Sequence, residues 1–170
     1  MMETQNSDRN INIVMAKEED RSDLLSLYRA QIGREGCPWN DHYPNDETID
    51  FDLSRDSLFV VKEDGNILAA ASIEYDEEVN KLPCWNKDLE PECEFARICV
   101  DPNLQKKGIG RILLQFIEDE IKRRGFNGIH IIVNKKNTKA LRLYDSFGYI
   151  NVGECYMYEQ DFWCYEKDLR

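Results

Sequence analysis

The chain has 170 residues, a formal net charge of −11, and 42% hydrophobic against 32% charged residues. That balance fits a single globular domain over 1–170 with one core, preceded by a polar stretch at 1–10 that reads as disordered. The acidic total argues against a nucleic-acid binder, and no run has the length or apolarity of a membrane span or signal core. Six cysteines show neither a C-x-x-C pair nor metal-type spacing with His42 and His130. They read as reduced thiols of a cytoplasmic protein with no metal site.

A first strand is expected at 11–15, where INIVM alternates. A helix follows over 18–32, with Leu24, Leu25, Leu27, Tyr28 and Ile32 at helical spacing and Gly33 as its stop. Residues 36–44 form an irregular aromatic loop containing Trp39, His42 and Tyr43, and a short helix starts near Asp46. A hairpin pairs 57–62 with 67–73 around the turn Asp64-Gly65. Residues 76–92, with Pro83, Trp85 and Pro91, read as an acidic surface loop. A strand over 95–100 leads through 101–104 into a glycine-bearing loop, and Ile112, Leu113, Phe116, Ile117 and Ile121 then repeat as in a helix. A buried strand at 129–133, a helix over 137–147, and strands near 151–158 and 162–168 complete a mixed α/β pattern.

Charge is unevenly distributed. Residues 71–95 hold eight acids against two lysines, whereas 104–143 hold ten bases against three acids. The first segment suits a cation and the second an anion. The basic segment contains the loop of Gln105, Lys106, Lys107, Gly108, Ile109, Gly110 and Arg111. A strand, a glycine loop and a helix N-terminus present backbone N–H groups and a favourable dipole to a phosphate. The loop lacks the three-glycine dinucleotide fingerprint, its ribose-binding acid some 20 residues on, and a G-K-[ST] ending.

Two linked motifs identify a resemblance. Gln105-x-x-Gly108-x-Gly110 matches [QR]-x-x-G-x-[GA], and Asn137-x-x-Ala140-x-x-Leu143-Tyr144-x-x-Phe147-Gly148-Tyr149 matches N-x-x-A-x-x-L-Y-x-x-x-G-F, with Tyr149 where Phe is commoner. In this order they resemble the GNAT superfamily of acyl-CoA-dependent N-acyltransferases, over about residues 92–150. The resemblance implies a mixed central sheet of six to seven strands that splays after the fourth, with about four helices. It implies acetyl-CoA as co-substrate, its pyrophosphate held by residues 105–111 with charge from Lys106, Lys107 and Arg111. The pantetheine would pair with the backbone of Ile98, Cys99 and Val100, the thioester would lie in the splay, and Asn137 would sit near the pantetheine or an ordered water. A homodimer is compatible with the family.

Amine acylation needs a base for the amine, a donor for the oxyanion and an acid for the departing thiolate. Tyr144 resembles the family's tyrosine acid, and the Val100 N–H or a neighbour would polarise the carbonyl. For the base, Glu94 competes with Glu74 and Glu92. Strict alternation puts Glu94, Ala96, Ile98 and Val100 on one face, and a bulge would change that parity. His130 in an Ile-rich strand reads as structural, and Cys99 as a small packed side chain rather than an acyl carrier. Trp39, Tyr43, Glu74 and Trp85 are candidates for contact with the acceptor, a small-molecule amine or a peptide amine. A non-catalytic acyl-CoA-binding sensor is the competing reading.

Overall fold

The computed structural model describes residues 4–6, 10–104 and 108–170. Among them, eight strands and five α-helices follow in the order β1 (Thr4–Asn6), β2 (Ile11–Met15), α1 (Arg21–Arg29), α2 (Asp46–Ser54), β3 (Leu58–Glu63), β4 (Asn66–Glu74), α3 (Glu77–Asn80), β5 (Glu92–Val100), α4 (Ile109–Arg123), β6 (Gly128–Asn134), α5 (Thr138–Ser146), β7 (Ile150–Met157) and β8 (Gln160–Asp168). This is the mixed α/β order expected. The extra strand, β1, lies in the polar segment read as disordered and is defined by backbone pairing with β2. Three polar residues carry no period-2 signal, so hydropathy cannot reveal such a strand. The extra helix, α3, lies inside the acidic loop, where the Asp76 side chain accepts from the N–H groups of Glu78 and Val79.

The chain forms two compact units, Met1–Ile73 with Ala96–Ile117, and Glu74–Phe95 with Glu118–Arg170. In the first unit, β1, β2, β3 and β4 pair antiparallel in sequence order, and β5 neighbours β4. Asp64 and Gly65 both take positive φ, as the predicted two-residue turn requires. Asn45 caps α2, its Oδ1 accepting from the Thr48 N–H at 3.0 Å. Leu24, Tyr28, Ile49, Leu58, Val60 and Cys99 pack into one buried cluster. Each fully buried aliphatic side chain there contributes about 1.5–3 kcal/mol.

In the second unit, β5 pairs parallel with β6 only at Glu92↔Gly128 and Cys93↔Ile129. β6 then pairs antiparallel with β8 along its whole length, and β8 with β7. Tyr158 and Glu159 turn the β7–β8 hairpin with positive φ at both positions. Buried Glu118 accepts from the Tyr149 hydroxyl at 2.6 Å and from Lys167 Nζ at 2.8 Å. A tyrosine at 149, where the resemblance favours phenylalanine, thus has an acceptor for its hydroxyl.

Candidate active site

The donor-binding candidates of the first unit lie on β5 and at the start of α4. Gln105, Lys106 and Lys107 lie outside the described residues. Gly108 has φ +78°, a conformation that glycine adopts without strain, and its carbonyl accepts from the Ile112 N–H at 3.1 Å. This is the N-terminal end of α4, where the helix dipole favours an anion. On β5, Ile98 and Val100 are half-buried and Cys99 is buried. Burial pushes the Cys99 thiol up to about 12, which leaves it protonated and unsuited to carry an acyl group. The Val100 carbonyl accepts from Gln31 Nε2 at 3.0 Å, a contact the sequence did not suggest.

Between these residues and Glu94 the strand is irregular. Arg97 has φ +52° and is 9% exposed. An unbroken strand would place Phe95 and Cys99 on one face. Phe95 packs on the rings of Tyr144 and Tyr149 in the second unit, and Cys99 joins the buried cluster of the first. The positive φ at Arg97 departs from extended strand backbone, while buried positions 95, 97 and 99 still alternate with half-buried 96, 98 and 100.

Arg97 is held by groups that the sequence reading did not connect. Its Nη2 donates to Asp52 Oδ1 and Oδ2 at 3.0 and 3.1 Å, and its Nη1 to the Tyr43 hydroxyl at 3.0 Å. Asp52 has no exposed surface and also accepts from Ser72 Oγ at 2.7 Å. The only available signal was one arginine inside an otherwise apolar run, FARICV. Of the other first-unit candidates, Trp39 stacks edge-on against Tyr28 at 5.6 Å, while Tyr43 is 43% exposed.

In the second unit, Tyr144 is buried on α5 against Phe95 and Tyr149. Burial holds its hydroxyl pKa well above the usual tyrosine value, so it keeps its proton. Asn137 caps α5, its Oδ1 accepting from the Ala140 N–H at 3.2 Å. Glu94 is buried, whereas Glu74 is half-buried and accepts from the Tyr75 N–H. Trp85 stacks on His130 with ring centroids 4.6 Å apart and donates to the Val79 carbonyl. Among the described residues, no group of His, Cys, Asp or Glu has the geometry of a metal site.

His130, Glu92 and Glu166 form a buried titratable group. His130 Nε2 lies 2.8 Å from Asn80 Oδ1 and its Nδ1 3.5 Å from Glu92 Oε1. Burial lowers His130 to about 4, so it is neutral near pH 7. Glu166 is raised to about 7, chiefly by burial and further by its hydrogen bond with Glu92. A raised carboxyl stabilises the fold fully below its unfolded value of 4.5 and loses that contribution as pH rises through 7. His130 works in the opposite sense, its contribution lost only as pH falls from 6.5 through 4. Glu166→Gln keeps an acceptor for the Asn86 N–H and removes the charge. Its stability relative to the parent should therefore climb between pH 5 and pH 8 in urea titrations. A constant difference across that range would show that Glu166 does not titrate there.

The mixed α/β order, the parallel pairing of β5 with β6 and the positive-φ glycine before α4 are in keeping with the acyl-CoA N-acyltransferase resemblance. The acetyltransferase (GNAT) family model matches residues 23–149, and the chain belongs to that family of acyl-CoA-dependent N-acetyltransferases, whose co-substrate is acetyl-CoA. The chain is 38% identical over 58 residues to the [ribosomal protein bS18]-alanine N-acetyltransferase of Escherichia coli, covering 34% of this chain and 39% of that protein. The match thus spans about two fifths of that relative's length. It is 27% identical over 147 residues to the S-(2-succino)cysteine N-acetyltransferase of Bacillus subtilis, covering 82% and 84% of the two chains. A GNAT acetyltransferase structure from Streptococcus agalactiae superposes with a TM-score of 0.76 at 21% identity, covering 94% of this chain and 95% of that one. The yncA structure from Salmonella typhimurium, solved with its cofactor acetyl-CoA, has a TM-score of 0.73 at 21% identity, covering 95% of each chain.

Proposed function

We propose that this protein transfers acetyl from acetyl-CoA to a primary amine by direct attack in a ternary complex. The observation that carries the reading is Tyr144, a buried hydroxyl that retains its proton and stands on the helix capped by Asn137. In this role Tyr144 protonates the departing CoA thiolate. Gly108 and the first turn of α4 hold the pyrophosphate together with residues 105–107, and the backbone of residues 98–100 pairs with the pantetheine. Glu94 accepts the amine proton, directly or through water. No acyl-cysteine is needed, in keeping with the high pKa of the Cys99 thiol.

The acceptor is a cationic small molecule on the strength of the acidic segment 71–95. A second reading draws on the relatives, which act on alanine of a ribosomal protein and on S-(2-succino)cysteine. It makes the acceptor the α-amine of an amino acid or of a peptide N-terminus. Thiol release from acetyl-CoA, followed over polyamines, free amino acids, and alanine-initiated and lysine peptides, separates these readings. Turnover on at least one class is expected. Tight CoA binding with no turnover on any of them, unaffected by Tyr144→Phe, would instead identify a non-catalytic acyl-CoA sensor.

A further inference from the structure

We propose that Asp52 is a positioning residue for acetyl-CoA binding: by clamping the Arg97 guanidinium it holds the backbone of β5 in the conformation that presents residues 98–100 to the pantetheine. The inference rests on the assignment of that segment to the cofactor.

Arg97 combines two features that folding alone does not favour. An arginine at φ +52° occupies a backbone region disfavoured for any residue with a Cβ. Its charge is also nearly inaccessible to water, as is that of Asp52. Buried ion pairs are no more stabilising than well-packed apolar residues of similar volume, so overall stability is a poor reason for one here. What an apolar pair cannot supply is direction. Both Asp52 oxygens engage a single guanidinium nitrogen while the Tyr43 hydroxyl holds another, which fixes the arginine in orientation as well as place.

The clamp is itself braced. Ser72 on β4 donates to Asp52 Oδ2, and Arg55 Nη2 lies 3.3 Å from Oδ1. The Asp52 backbone carbonyl accepts from the Ser57 N–H at 3.0 Å, tying the end of α2 to the start of β3. Asp52 is thereby fixed before it binds Arg97, and disfavoured backbone persists where its surroundings over-determine it in this way. The residue after Arg97 begins the stretch assigned to the pantetheine. Without the clamp, relaxation of φ at Arg97 redirects the N–H and C=O groups that follow.

Calorimetry with acetyl-CoA, paired with thermal melts, tests this on the full chain. The parent binds acetyl-CoA, and Asp52→Asn, which keeps size but loses charge, should weaken binding about tenfold and also lower Tm. The decisive variant is Asp52→Asn combined with Arg97→Gly. Glycine adopts positive φ unaided, so the double variant should recover most of the affinity without recovering Tm. A residue serving only stability would give affinity and Tm that move together. If Asp52→Asn fails to fold, Ser72→Ala removes one brace and should weaken binding about twofold to threefold. Folded Asp52→Asn or Ser72→Ala with the parent's affinity would overturn the proposal while leaving the assigned function intact. A parent that does not bind acetyl-CoA removes both.

Discussion

Tyr144→Phe is expected to lower turnover by roughly a hundredfold or more at saturating acetyl-CoA, the range for loss of a positioned general acid. Phenylalanine preserves the ring packing on Phe95 and Tyr149, at centroid distances of 5.7 and 5.6 Å, and deletes only the hydroxyl. The proton on that hydroxyl is available at neutral pH because burial opposes its loss. Acetyl-CoA affinity should stay within about twofold, since an interaction made only in the transition state does not contribute to ground-state binding. Single-turnover kinetics beside CoA calorimetry check both halves. An unchanged rate on an amine that the parent acetylates would remove Tyr144 from the chemistry.

The largest stability effect is expected at Glu118. Glu118→Ala leaves the Tyr149 hydroxyl and Lys167 Nζ without the carboxylate that both address. The side chains of Lys167 and Glu118 are 23% and 5% exposed, so the ammonium keeps some water and the full cost of a broken buried pair does not apply. With the loss of a hydrogen bond to a charged group, the total is about 3 kcal/mol. For a chain of this size that corresponds to roughly 6–12 °C in Tm. Glu118→Gln retains an acceptor for Tyr149 and should lose about half as much. Differential scanning calorimetry reads both, and an alanine variant within about 2 °C of the parent would contradict this account.

The cofactor half of the candidate site was more legible in the sequence than the acceptor half, for physical reasons. Gly108 and Gly110 punctuate a strand-to-helix junction, and Asn137 precedes a run with clear helical period, so short-range spacing alone marks both places. The acceptor candidates have no such grammar. Trp39 and Tyr43 belong to the first unit and Glu74 and Trp85 to the second, and Trp85 proves to be stacked on His130. Aromatic residues in irregular loops signal contact without specifying a partner. The choice of base stayed open for a related reason, because a positive φ at an arginine within β5 has no compositional signature.

By itself the sequence determined what depends on neighbours along the chain: the Asp64-Gly65 turn, the periodic faces of α1, α4 and α5, the cap at Asn137, and the two motifs that place the chain in its family. Only the tertiary structure decided how buried charge is matched. Asp52 meets Arg97 across 45 residues, Glu118 meets Tyr149 across 31, and Asn86 meets Glu166 across 80. Such pairs form because a charge taken out of water must find its partner wherever the fold brings one, and separation along the chain places no limit on where that is.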